Sequence, residues 1–167
     1  RGIIFAGFLA PAESNVIEFI TFSTTGNAQD FGDLTQGRRN LTGFSNQTRG
    51  IAAGGSIQSP ATDFGDLTSV QSRGDGASSQ IRGIIYSGKR NPASYSNIIE
   101  FVTIATTGNG ADFGDAATAV TNTAATSNSL RGVFGGGYVP GSNTDDINYL
   151  EIQSMGNSVF FGELTSA

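Results

Sequence analysis

The sequence predicts an all-β fold built from four copies of one unit, and three observations carry that prediction. The run Asp30-Phe31-Gly32-Asp33-Leu34-Thr35 returns at Asp63-Phe64-Gly65-Asp66-Leu67-Thr68, again as Asp112-Phe113-Gly114-Asp115, and in altered form as Phe161-Gly162-Glu163-Leu164-Thr165. An Arg-Gly pair recurs at Arg1, Arg49, Arg82 and Arg131. Short β-branched and aromatic runs are separated by Gly, Asn, Ser and Thr, and no segment sustains a 3.6-residue apolar period with caps. Self-similarity at a fixed period marks a supersecondary unit used several times. The Arg-Gly starts are 48, 33 and 49 residues apart, and Phe31, Phe64, Phe113 and Phe161 are 33, 49 and 48 apart. Two independent markers thus give units at 1–48, 49–81, 82–130 and 131–167, the second short and the last incomplete.

Within the first unit four strands are expected. Arg1 to Phe8 is apolar with glycine, and Asn15 to Phe22 is mixed apolar and β-branched. Ser23-Thr24-Thr25-Gly26-Asn27 has hairpin-turn chemistry, because Gly and Asn tolerate positive φ. Ala28 to Thr35 is the third strand and Asn40 to Asn46 a weaker fourth. The third unit repeats this order with Ile84 to Ser87, Asn97 to Ile104, a Thr106-Thr107-Gly108-Asn109 turn and a strand from Asp112. The second unit passes from Gly54-Gly55 through Ser59-Pro60-Ala61-Thr62 directly into Asp63, so one strand and one turn are missing as a block. The fourth keeps Ile147 to Ile152 and the Met155-Gly156-Asn157 turn, and stops before a fourth strand. A four-stranded unit of about 48 residues has the size of a propeller blade. A β-solenoid and a β-sandwich are the competing architectures.

Composition narrows the function. Net charge is −5 with a single lysine, Lys89, whereas a nucleic-acid groove needs clustered Lys and Arg. No apolar stretch approaches the roughly 20 residues of a membrane span. The chain has no Cys and no His, which rules out disulfides and removes both Ser-His and Cys-His catalysis. Paired acids can hydrolyse glycosides. A catalytic pair is expected once, however, and these acids recur in every unit. A non-enzymatic protein without cofactor or metal is therefore expected. The start at Arg1-Gly2, already inside a repeat and without an initiator Met, reads as part of something longer.

The repeated residues read as structural. Phe31, Phe64, Phe113 and Phe161 are expected to fill the space between neighbouring sheets, each burying roughly 150–250 Å². Asp33, Asp66 and Asp115 are expected to close turns by side-chain to backbone bonds. The pairs Asp30/Asp33, Asp63/Asp66 and Asp112/Asp115 supply too few oxygens for calcium. Arg1, Arg49, Arg82 and Arg131 match the acids one for one, so bidentate Arg–carboxylate pairing is expected. The runs Gly54-Gly55 and Gly135-Gly136-Gly137 imply close backbone approach. They lack the Lys-Ser/Thr of a phosphate-binding loop.

The order Arg131-Gly-Val-Phe-Gly-Gly-Gly-Tyr138, then Asn97-Ile-Ile-Glu-Phe-Val-Thr-Ile104, then Ala105-Thr-Thr-Gly-Asn-Gly-Ala-Asp-Phe-Gly-Asp115 resembles the kelch-like repeats of bacteriophage tail and fibre proteins. The chain departs from ordinary kelch repeats in having no Trp. The resemblance implies a kelch-like β-propeller, alone or as part of a larger one. It implies a virion structural or host-attachment component, with partners among other tail subunits, copies of itself or host-surface glycans. A bacterial secreted or surface lectin is the alternative. Pro11 to Asn15, Asn91 to Ser96 and Pro140 to Asp145 fall at the same place in three units. Their polar residues Asn15, Asn91, Ser94, Tyr95, Ser142 and Asn143 are the candidate ligand contacts, with solvated connectors as the competing reading.

Overall fold

The structure, a computed structural model, describes residues 1–56, 64–90 and 94–166. Every regular element among them is a strand, so the all-β expectation holds. The first sheet is a three-stranded antiparallel meander of β1 (Gly2–Leu9), β2 (Ala12–Ile20) and β3 (Gln29–Asp33). A two-stranded hairpin follows, β4 (Arg39–Ser45) with β5 (Gly50–Ser56). The passage after β5, with Asp63, lies outside the described residues.

The third sheet is the largest. β6 (Gln71–Ser72) and β7 (Asp75–Ser78) both pair with β8 (Arg82–Arg90), which continues to β9 (Ser94–Thr103) and β10 (Ala111–Asp115). The fourth sheet runs β11 (Ala124–Ser127), β12 (Arg131–Gly135), β15 (Asp146–Glu151) and β16 (Val159–Glu163). The small ribbon of β13 (Tyr138–Val139) and β14 (Ser142–Asn143) extends the tip between β12 and β15. No closed ring of sheets is formed among the described residues.

The expected strands are present, but the fourth strand of each unit is used differently from expectation. Asn40 to Asn46 reads in sequence as the end of the first unit, yet β4 pairs with β5 of the second. Likewise β11 pairs with β12. The reason lies in the connections. Ser45 reaches Gly50 by a tight turn in which Asn46 Oδ1 accepts from the Thr48 and Arg49 amides. The route from Asp33 to Arg39 is longer and irregular.

The core lies between sheets. Ile84, Tyr86, Ile99, Phe113, Phe134, Leu150 and Ile152 form one buried cluster joining the third and fourth sheets. Within it Tyr86 stacks on Phe134 at 3.9 Å between centroids. Phe44, Ile51, Ile85, Val102 and Ile104 join the hairpin to the third sheet. Glycine after the repeated arginine makes this possible. A Cβ on Gly83 would overlap the Phe44 ring, and one on Gly132 would lie 3.0 Å from Ala77 Cβ.

Candidate functional site

At Phe64 and Phe113 the Phe-Gly-Asp run is the backbone half of a clamp onto the next sheet. In β3, β10 and β16 the phenylalanine sits at a β-bulge, where the register against the partner strand shifts. The following glycine leaves room for the neighbouring sheet's turn. Gly108 N donates to Phe64 O at 2.9 Å, Gly110 N to Asp66 O at 2.7 Å, and Asp66 N to Asn109 Oδ1 at 3.0 Å. The next interface repeats the pattern. Gly156 N donates to Phe113 O at 2.9 Å, Ser158 N to Asp115 O at 2.9 Å, and Asp115 N to Asn157 Oδ1 at 2.9 Å. A Cβ on Gly114 would lie 2.5 Å from the Gly156 carbonyl, and one on Gly65 would overlap Gly108. The aspartate is thus used through its main chain. The turn-closing side-chain bond belongs to the preceding acid in the first sheet, where Asp30 Oδ1 accepts from Gly32 N at 2.9 Å.

The phenylalanines do not share one environment. Phe113 is 2% exposed and packs edge-on to Phe101, whereas Phe31 is 57% and Phe161 59% exposed. Both exposed rings keep the same edge contact within their own sheet, Phe31 with Phe19 and Phe161 with Tyr149. What they lack is a neighbouring sheet.

The arginines correct the expectation of pairing with repeat acids. Arg49 donates to Ile104 O at 2.8 Å, and Arg82 to Ile152 O and Gln153 O at 3.0 Å. Each guanidinium also lies over a ring: Arg1 over Phe19, Arg49 over Phe64, Arg82 over Phe101 and Arg131 over Tyr149. Of these four arginines, Arg131 alone among the described residues meets a carboxylate, Glu151 at 2.6 Å, which is outside the Phe-Gly-Asp run; this hydrogen bond raises the Arg131 pKa. A carbonyl at a strand end accepts from a fork donor without the cost of burying a second charge.

A second ladder escapes sequence reasoning. Arg73 N donates to Asn40 O at 2.9 Å, and Asn122 N donates to Arg73 O at 2.9 Å. All three residues have positive φ, 57°, 60° and 55°. They share the 33- and 49-residue offsets of the repeat. Only the main chain is used, so the side-chain type varies and leaves no motif.

The candidate ligand loops separate. Asn15 is within β2, half-buried, with Nδ2 3.4 Å from Leu34 O, so it ties strand to loop. Asn91 lies outside the described residues. Ser94 begins β9 and Ser142 begins β14, both exposed. Tyr95 and Asn143 come together. With Tyr138, Asn122 and Arg73 they line a cleft of about 580 Å³ between the third and fourth sheets. The Tyr95 and Tyr138 rings are 6.2 Å apart and tilted by 35°. Lys89 Nζ lies 5.7 Å from the Tyr95 ring. Reciprocal main-chain bonds between Thr121 and Tyr138, at 2.8 and 3.0 Å, fix the far wall. The expected crowding at glycine is present here too, since a Cβ on Gly137 would lie 2.7 Å from Thr121 O; Gly135, by contrast, is not crowded.

Two aromatic faces beside amide and guanidinium groups can stack on and hydrogen-bond a polar ligand with an apolar face. Among the described residues no cluster of three or more acids is placed to hold a metal. No protein-family model matches the chain, and no curated protein matches it in sequence.

Proposed function

We propose that the chain is a non-enzymatic structural and binding module of a phage virion, in a tail, nozzle or fibre. Its sheets act as blades of a kelch-like β-propeller or of part of one. The observation that carries the scaffold reading is the recurring inter-sheet clamp. At two successive junctions one unit is fixed to the next sheet by three main-chain or Asn-mediated bonds at the same positions. Such a quasi-one-dimensional array holds its loops in a fixed relation. The repeat's resemblance to kelch-like phage tail repeats supports the virion.

The ligand role belongs to the Tyr95/Tyr138 cleft. A sugar ring offers a C–H face to a tyrosine and hydroxyls to Asn122, Asn143 and Arg73. The expected result is labelling of intact particles by antibody against the chain in immunogold microscopy. A glycan array probed with the wild type and with Tyr95→Ala should show binding that the variant loses. Unlabelled particles, with glycan binding retained, would favour the bacterial surface lectin. Turnover of host polysaccharide would overturn the non-enzymatic reading.

A further inference from the structure

The two outer faces of the chain are the two halves of its own internal interface. At two internal junctions one unit offers Phe-Gly-Asp and an arginine, and the next sheet offers a Gly-Asn turn and an apolar residue just past its second strand; Phe31-Gly32-Asp33 meets no such turn, because the second unit lacks it. The fourth sheet presents the first half outward. Phe161 is 59% exposed, Leu164 and Leu130 of the same unit are exposed too, and no described atom lies within 4 Å of a Cβ built on Gly162. The first sheet presents the second half outward. Gly26 likewise has nothing described within 4 Å of a Cβ, and Phe22 is 77% exposed. The residues equivalent to Phe22 are Ile104 and Ile152, both fully buried under the preceding sheet. Glu18 is exposed, while its equivalent Glu100 is fully buried and accepts from Thr68 N at 2.6 Å.

We propose that a second copy of this chain docks head to tail on these faces, repeating the internal clamp between molecules. The contacts follow by equivalence from the junctions already described. Gly26 N of one copy donates to Phe161 O of the other, Ala28 N to Glu163 O, and Glu163 N to Asn27 Oδ1. Thr165 N donates to the Glu18 carboxylate. Arg131 reaches the Phe22 carbonyl, as Arg49 and Arg82 reach those of Ile104 and Ile152. Phe22 and Phe161 become buried together. The commitment to a second copy rests on this self-complementarity: the chain carries both halves, and each matches an interface that it already makes. The contact is heterologous, so it propagates into a ring or a filament. It is independent of the virion reading, since it uses neither particle nor glycan.

Two variants test it on opposite faces. Gly162→Val fills the space the incoming turn needs. Phe22→Asp places a charge where Ile104 and Ile152 are buried. Sedimentation velocity over a concentration series should show the wild type rising to at least twice the monomer mass. Each variant alone should stay monomeric, with an unchanged circular dichroism spectrum. Mixed together, the two variants should give a species of twice the monomer mass and nothing larger, because each keeps one working face. A wild type that stays monomeric throughout, including by closing on itself, overturns the proposal. So does a variant that is folded and associates like the wild type, or a mixture that stays monomeric.

Discussion

The first and third sheets have nearly the same inner construction and opposite fates. Both are antiparallel meanders with a bulge at Phe-Gly, and both carry an edge-on phenylalanine pair, Phe19–Phe31 at 6.2 Å and Phe101–Phe113 at 6.0 Å. The third sheet nevertheless contributes the largest share of the buried core, and no residue of the first sheet is fully buried. Strand pairing therefore does not distinguish them. The third sheet has a packed neighbour on each face, and the first has few of those contacts. A unit of this kind cannot bury its own apolar face, and stacking supplies the core. The repeated residues do their energetic work between sheets, so identical residues should differ greatly in worth according to position.

Gly114 and Gly32 give the largest contrast. Gly114→Val drives a Cβ to within 2.5 Å of the Gly156 main chain, at φ +148°. Neither backbone can yield without breaking the clamp, so a loss above about 4 kcal/mol is expected. Gly32→Val has no described residue within 4 Å and retains only the strain of φ +138°, about 1–3 kcal/mol. Urea unfolding of both variants measures the difference. Equal losses would mean that backbone conformation, not the incoming turn, selects glycine. Phe113→Ala and Phe31→Ala come next. Removing the 2%-exposed ring should cost about 3–5 kcal/mol by the transfer and cavity terms. Removing the exposed one should cost about 1 kcal/mol or less. Thermal midpoints that fall equally would erase the distinction between the sheets.

The repeat and the all-β class were legible because side-chain identity is kept at fixed offsets. Which sheet uses each residue was not. Gly114 serves a turn 42 residues further on, and nothing in local spacing points there. The arginines show the same limit. Their match in number to the acids suggested pairing, but Arg49 and Arg82 lie at the strand ends of the next sheet, where carbonyls are presented and carboxylates are not. The Asn40–Arg73–Asn122 ladder is invisible for a related reason. It selects a backbone conformation, and Asn and Arg share no side-chain chemistry that the position needs. Tyr95 was identified from its loop, whereas Tyr138 was missed, because its partnership depends on two sheets being set side by side.

Asn157 and Asn27 extend the contrast to a single hydrogen bond. Asn157→Ala leaves the Asp115 amide without its acceptor and should cost about 1–2 kcal/mol in equilibrium unfolding. Asn27 has no such donor among the described residues, so Asn27→Ala should be neutral at concentrations where the chain is monomeric. A clear loss in the monomer would show that the turn is stabilised within its own sheet, and that the clamp adds little.

The smallest effect belongs to Asp75, whose environment is made where β4 and β11 pack against β7. Thr42 Oγ1 lies 3.4 Å from its carboxylate, and Gly76 N donates at 2.8 Å. Burial outweighs these bonds and pushes the Asp75 carboxyl above its ordinary value of 3.8. The folded chain therefore holds this proton more tightly than the unfolded one. The resulting penalty is absent below the unfolded value. It grows as pH rises through the folded value and is complete at neutral pH. Asp75→Asn keeps an acceptor toward Thr42 and removes the charge. It should raise the urea midpoint at pH 7 by the equivalent of about 0.5 kcal/mol, the scale of an ordinary peripheral substitution. The gain should vanish at pH 3, where both chains are uncharged at this position. Subtracting the two pH profiles cancels the carboxylates common to both. A gain that persists unchanged at pH 3 would place the effect in packing. A loss at pH 7 would mean that hydrogen bonding to the ionised carboxylate outweighs its burial, and that the packed sheets accommodate a charge at this junction.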